Sequence, residues 1–527
     1  MARNRIIYAS QSVWVDGEVL YRVQSLGTTT SFTSEDIFEL GHLDIIDVVD
    51  DVPAVTITLN TNDFGDVRTL ACLAQLPSAK KAMEATATVD NANLLSGSTY
   101  LHGVALADFA VTCGNLSGVT LWAPVQDECS IGTLANNIDQ TLFLDEVYIN
   151  SLEYSYTTGA NATENYGAET DNKMWLLNDG RFVNFEEITI SGTDVSNGYV
   201  DLDLADTATI AALTNGIGFL RKDTDGTQAI SWFDDSATEV TNIAIAEGVI
   251  GDVNALTYIY ENTGTEHRIY FPSGGLFDPA AGDIVTVVYA ADAYAAPMNT
   301  YFTPLEEETA RPDSVGAVRQ GQVEVYIVDP SNVTASGYDN AWRLTGCTIS
   351  TDLTREPLAE LGHLGPYDRP LTLPIPITMT VDSTAGDLEN WAKFSGKLTE
   401  FDADTMDDID LTDLSSKDNL ILVVKVFEQT DEEAGGTGAG RTVLASSDLI
   451  GDDYIDDGTV ATYIADDRER PLKTIVVKNL KITDEGMTLD VGSNATQTFG
   501  FRSTNDLFAI KGDASYSIVT DTITRNA

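Results

Sequence analysis

The sequence predicts a mainly β protein: two tandem copies of one β-sandwich domain, each with a flanking α-helix, and a further β-sandwich inserted between them. Three observations carry this. Short runs rich in Val, Ile, Thr and Tyr, punctuated by Gly, Asn and Asp, recur along all 527 residues. The pentapeptide ELGHL occurs at Glu39–Leu43 and again at Glu360–Leu364, and its surroundings match as well. The stretch between the two matching regions shares none of that pattern and has its own set of strand signals.

The first repeated element is a strand and loop. An offset of 360 − 39 = 321 lays TSFTSEDIFELGHL (30–43) over TDLTREPLAELGHL (351–364), matching Thr30 with Thr351, Thr33 with Thr354 and Glu35 with Glu356. The same offset pairs Asp47 with Asp368, Pro53 with Pro374, and Gly65-Asp66 with Gly386-Asp387. An alternating strand follows in each copy, AVTITLN (54–60) and PITMTVD (376–382). Val55, Ile57 and Leu59 alternate with polar residues, as do Ile377, Met379 and Val381, but one residue out of phase with the offset. A one-residue slip would turn every side chain to the other face, so the alignment needs a single-residue gap, such as a bulge.

A helix comes next. Val67, Leu70, Leu73 and Leu76 form one stripe in the first copy, and Leu388, Trp391 and Phe394 form the matching stripe in the second. Asp66 and Asp387 are suited to cap those helices. The second shared landmark lies near the end of each copy. GANATENYGAETDNKMWLL (159–177) lies over GSNATQTFGFRSTNDLFAI (492–510) at an offset of 492 − 159 = 333, with Tyr166 becoming Phe499 and Trp175 becoming Phe508. Acidic, Gly-rich insertions in the second copy, DEEAGGTGAGR and GDDYIDDG, are expected to supply the growth in offset. The first copy thus spans 1–180, the inserted sandwich 181–300, and the connector with the second copy 301–527. The inserted unit is expected to fold independently.

Charge is the dominant global signal, 82 acidic against 29 basic residues for a net charge of −53. The acids are spread along the chain and lysine is scarcer than arginine, a distribution that resembles proteins of extreme halophiles. Self-repulsion of this size is relieved at ~1 M salt, where the screening length falls to ~3 Å. A basic nucleic-acid groove is excluded. No run approaches the ~20 apolar residues of a membrane-spanning helix, and the opening MARNRIIYASQSVWVDG reads as a strand rather than a secretory signal.

Catalytic and metal-binding signals are absent from the sequence. It contains no G-x-S-x-G, H-E-x-x-H or P-loop. Its histidines are His42, His102, His267 and His363; the repeated pair, with no Cys or second His nearby, reads as loop histidines rather than ligands. Cys72, Cys113, Cys129 and Cys347 form no C-x-x-C and read as free thiols. Asp402, Asp404 and Asp407 lack the Gly and Glu of a calcium loop. In so acidic a chain, carboxylate pairs say nothing of acid–base work, so a glycosidase is the weaker alternative. Of the N-x-[ST] sequons at Asn115, Asn161, Asn332 and Asn494, the second and fourth belong to the shared turn, where Asn tolerates left-handed geometry. Asn332 is the candidate glycosylation site.

The order of elements in each half, with SEDIFELGHL, REPLAELGHL and the two G-x-NAT-x-x-[YF]-G turns, resembles the major tail tube protein of long-tailed viruses, in its duplicated form and with a haloarchaeal virus as source. The resemblance covers both halves and not the middle. It implies a structural virion protein, not an enzyme, with no cofactor and no metal. Three chains would form a pseudo-hexameric ring, and rings would stack into a conduit for DNA ejection. Its partners would be further copies of itself, other tail proteins, and viral DNA passing without specific binding; no membrane is involved. It would reside in the virion tail after assembly in the host cytoplasm. The repeated loops, Glu39, Leu40, Gly41, His42 and Leu43 with Glu360, Leu361, Gly362, His363 and Leu364, would lie at the ring interfaces. Alternatives are another virion ring component (baseplate or capsid-associated) and a surface-layer or adhesin-type β protein.

Overall fold

The structure is a computed structural model. It describes residues 11–62, 68–73, 89–90, 103–105, 118–126, 138–177, most of 181–295, 318, 323–328, 344–361, 366, 369–384, 419–427, 471–489, 494–511, 514–517 and 522–525, apart from a few single positions. The chain is mainly β, with large antiparallel sheets.

Eight strands form one continuous inner sheet. In chain order they are β1 (Val23–Ser31), β2 (Ala54–Asn62), β3 (Ile138–Thr157), β4 (Thr163–Thr170), β5 (Leu344–Asp352), β6 (Pro376–Thr384), β7 (Pro471–Thr488) and β8 (Thr496–Thr504). Their spatial order is β1-β2-β4-β3-β5-β6-β8-β7. The four strands of the first half thus run on into the four equivalent strands of the second, edge to edge. β2 and β6 have the same alternation of exposed and buried residues, which places Val55, Ile57 and Leu59 in the core beside Ile377, Met379 and Val381.

The registers repeat in detail. β3 and β4 slip between Ile149 and Ser151, and β7 and β8 slip between Ile482 and Asp484, an offset of 484 − 151 = 333. Gly167 and Gly500 sit opposite these bulges, where an added Cβ would strike Ser151 and Asp484 respectively. That explains the final glycine of the repeated turn motif. Glu146 and Asn479, also 333 apart, both adopt positive φ (48° and 54°). These positions lie where β3 and β7 pass from an outer sheet into the inner one. The left-handed residue of the first turn is Gly159, not Asn161.

The one-residue gap is located by the same registers. Ser34 faces Asp50 and Arg355 bridges Leu371, both at offset 321, whereas Ile57 and Met379 are 322 apart. The extra residue therefore lies between Leu371 and Pro376, in the approach to the strand; it is not a bulge. The later growth in offset is not a simple insertion. Leu121 and Leu422 hold equivalent places opposite Leu144 and Val477, an offset of only 301. The second half loses 322 − 301 = 21 residues after its alternating strand and then gains 333 − 301 = 32 before β7.

Each half adds an outer sheet. In the first half this runs Glu18–Val19, Trp14–Val15, Val119–Gln126, the start of β3 and Asn172–Leu176. In the second it runs Val323–Val328, Leu420–Phe427, the start of β7, Leu507–Lys511 and, from the first half, Gly103–Ala105. Helix α1 (Arg68–Leu73) buries Leu70 and Leu73. One core runs between inner and outer sheets through both halves, joining Tyr154 and Tyr156 to Cys347, Ile349 and Val424. The cap residues Asp66 and Asp387 and the second helix lie outside the described residues.

The inserted unit opens on the strand Phe182–Thr189 and closes on Ile284–Ala291, which pair along their whole length. Two of its strands, Ala229–Phe233 and Val240–Glu247, carry signals the sequence reading did not use. The stretch after Thr189 is helix α2 (Gly192–Asn197), capped reciprocally by Ser191 and Asp194 and ended by Gly198 at φ 79°. The unit has a core of its own and also packs on the first half. Its Val183, Phe185, Leu220 and Val288 bury Trp14, Trp122 and Phe143, which point away from the core on the far face of the first outer sheet. At the same junction Arg221 pairs with Asp145 at 3.3 Å, both nearly inaccessible. Burial raises the Asp145 pKa, while the guanidinium beside it pulls the other way. The layers are therefore inner sheet, core, outer sheet, and then the inserted unit.

Candidate functional site

Among the described residues, the inner sheet has one face covered and one face open. On the open face, Thr56, Thr58, Thr378, Thr380, Thr498, Ser151, Ser155, Thr348 and Ser350 stand in rows across the registers. Its few charges are of both signs, including Glu153, Glu169, Asp382 and Arg502. For a chain of net charge −53 this is a hydroxyl-rich, weakly charged surface.

The junction between the halves is made by β3 and β5. Leu152, Tyr154 and Tyr156 face Thr351, Ile349 and Cys347, and all six are buried, with Tyr154 at 0% exposure. Burial pushes the Cys347 thiol up to about 12; it is a free, packed thiol. Lys473, from the start of β7, crosses the junction to pair with Glu164 of β4, and both are inaccessible. Glu164 also accepts from Tyr166, Thr61 donates to its carbonyl oxygen, and the ammonium lies over the Tyr154 ring. A buried pair of this kind is held by geometry and by satisfaction of the remaining lone pairs. Sequence reasoning missed it, since the two residues lie 309 positions apart.

The second ELGHL arm also crosses this junction. Leu353 N donates to Asn150 O at 2.8 Å, and Arg355 Nε donates to Ile149 O at 3.2 Å. Arg369 pairs with Glu169 at 2.7 Å, and both guanidinium groups lie over the Tyr148 ring. Within this arm Leu361 is fully exposed, whereas Glu360, Gly362, His363 and Leu364 lie outside the described residues.

The outer edges of the same sheet end differently. Among the described residues β1 pairs only with β2, and the inner half of β7 only with β8. β1 is the counterpart of β5, and β7 of β3. On β7 the residues equivalent to buried Tyr154 and Tyr156 are Met487 and Leu489, 54% and 72% exposed. On β1 the equivalents of Ile349 and Cys347 are Thr28 and Leu26, both half-buried. Lys173 donates to Thr28 Oγ1 at 2.9 Å and Thr30 Oγ1 at 3.3 Å, so a cation flanks that edge.

The first ELGHL arm is a hairpin, Ser34–Ile37 against Asp47–Asp50, paired only with itself among the described residues. It presents Phe32, Phe38, Leu40, Leu43, Ile45 and Ile46 to solvent, with Leu40 and Leu43 fully exposed and Glu39 exposed beside them. Gly41, His42 and the sequon residue Asn332 lie outside the described residues. The described residues hold no cluster of His, Cys, Asp or Glu arranged for a metal ion. No protein-family model matches the chain, and no curated protein matches it either.

Proposed function

We propose that the chain is a structural protein that closes into rings by sheet extension, three chains to a ring, and that the rings stack as the tail tube of a long-tailed virus. The observation that carries this reading is the finished junction inside the chain beside two unfinished edges of the same kind. β3 and β5 display a completed seam; β7 and β1 carry its two halves. A heterologous contact of this sort closes into a ring when its rotation permits. Three chains of eight inner strands give a barrel with no edge left, which removes the hazard of an unpaired strand. The covered face carries the outer sheets and the inserted unit, so the open Ser/Thr face lines the bore and the inserted unit stands outside. A lumen without a basic track lets a polyanion pass without holding it. The two ELGHL arms then sit at successive seams, the second over the internal one and the first over the neighbouring chain. The net charge of −53 fits assembly in molar salt.

The register follows from the offsets: Glu485 opposite Thr30, Met487 opposite Thr28, and Leu489 opposite Leu26 of the next chain. Glu485 would then meet the Lys173 ammonium. Directly opposed residues of an antiparallel pair lie ~4.5–5.5 Å apart, within reach of a disulfide. The double variant Met487→Cys/Thr28→Cys should give covalently closed trimers on mild oxidation. Absence of cross-linked species from protein that assembles normally would refute the register.

A further inference from the structure

The internal junction is stapled by Lys473 and Glu164, and the repeat shows what stands at the same places on the unfinished edges. Glu164 on β4 corresponds to Gln497 on β8, 497 − 164 = 333. The backbone ties agree, because Thr61 donates to Glu164 O at 3.1 Å and Ser383 donates to Gln497 O at 3.3 Å. Lys473 faces Val426 on its outer sheet, and Gln140 faces Val125 at the equivalent place, 473 − 140 = 333.

Gln497 is 4% exposed, and among the described residues its buried Oε1 accepts no hydrogen bond. Its Nε2 donates to Glu485 Oε1 at 3.2 Å, which fixes the amide with that oxygen turned away. A buried acceptor without a donor is costly and demands an explanation. Gln140 is half-buried and carries the donor the site lacks. We infer that the seam between chains is stapled by a neutral amide pair, Gln497 Oε1 of one chain accepting from Gln140 Nε2 of the next, in place of the ion pair used inside the chain.

Why the pair is neutral follows from the order of events. Inside the chain, Glu164 and Lys473 are buried together as the two halves fold. At the outer edge, residue 497 is buried before any neighbour arrives. A carboxylate there would wait without a counter-charge in a dry site beside Glu485, which is costly; an amide waits more cheaply. The inference rests on the ring reading and names the contact that closes it.

The test uses the full chain carrying Met487→Cys/Thr28→Cys, with the yield of closed trimer as the readout. Gln140→Ala removes the donor without touching any side-chain hydrogen bond among the described residues and should lower that yield about tenfold per seam. Gln497→Glu alone should lower it further, and Gln497→Glu with Gln140→Lys, which copies the internal staple, should return it to within about threefold of the parent. Unchanged yield for Gln140→Ala, or a double variant as poor as Gln497→Glu alone, would overturn the pair. If Gln497→Glu fails to fold, as judged by its melting curve, the Gln140→Ala result decides. Failure of the parent double-cysteine chain to cross-link would instead count against the ring itself.

Discussion

Placing a charge on the open edge of β7 separates folding from assembly. Met487 and Leu489 are 54% and 72% exposed, while Tyr154 and Tyr156 at the finished seam are 0% and 5% exposed. Full burial of such an apolar side chain stabilises by ~1.5–3 kcal/mol, so completing the burial of Met487 is worth ~1 kcal/mol. In Met487→Asp that gain is lost and a carboxylate is desolvated opposite Thr28, which adds ~3 kcal/mol or more. The sum, ~4 kcal/mol per seam, weakens each contact about a thousandfold at ~1.4 kcal/mol per decade. The single chain, in which residue 487 is solvated, should keep its stability within ~0.5 kcal/mol. Mass photometry in molar salt, with melting curves run alongside, reads both quantities. Val195→Asp on the exposed helix of the inserted unit serves as the control, since Val195 faces solvent away from the edge. Wild-type assembly by Met487→Asp would refute the argument that β7 is a seam.

Further outcomes follow from buried charges and packing. Lys473→Met leaves the buried Glu164 carboxylate without its counter-charge and should cost ~3–5 kcal/mol, most of it recovered in Lys473→Met/Glu164→Gln; denaturant midpoints of the three chains check this. Glu186, buried in the inserted unit against Tyr289, is raised by desolvation from the usual 4.5 to about 7. Between those values the folded state holds a proton that the unfolded state has released, so stability falls as pH rises through that window and is flat above it. At ~1.4 kcal/mol per pH unit the loss is at most ~3–4 kcal/mol, and Glu186→Gln should abolish this slope in melting curves from pH 4.5 to 7.5. Deleting 181–295 and joining the ends with a flexible linker should give aggregated protein, because Trp14, Trp122 and Phe143 lose their cover and Asp145 loses Arg221. Soluble, assembling protein from that deletion would show that the cover is dispensable.

Much of the inner sheet was legible because its strands announce themselves locally. Val55, Ile57 and Leu59 alternate cleanly, as do Ile377, Met379 and Val381, and their one-residue slip pointed to a real gap, found in the approach rather than in the ladder. The turn glycines Gly167 and Gly500 repeat because each packs against a bulge that a Cβ would strike. The strand Ala229–Phe233 was missed because it is buried on nearly every residue and shows no alternation; Val240–Glu247, where Ile243 and Ile245 alternate with Ala244 and Ala246, was legible and overlooked. Offsets taken at the two ends of the repeat also concealed a loss of 21 residues behind a gain of 32. The candidate site was less legible still. The ELGHL repeat marked the arms, but the edges they flank depend on which strands end the sheet, a non-local matter of pairing. Gln497 looks like any glutamine until its burial and its counterpart Glu164 are seen together.

The central claim is that β7 of one chain extends onto β1 of the next until three chains close. A transverse section of assembled particles, imaged by electron cryomicroscopy, tests it directly. The account predicts threefold symmetry, six similar lobes around one bore, a continuous wall of strands, and three external projections from the inserted units. Six chains in a ring, or a wall interrupted at the edges of β1 and β7, would contradict it.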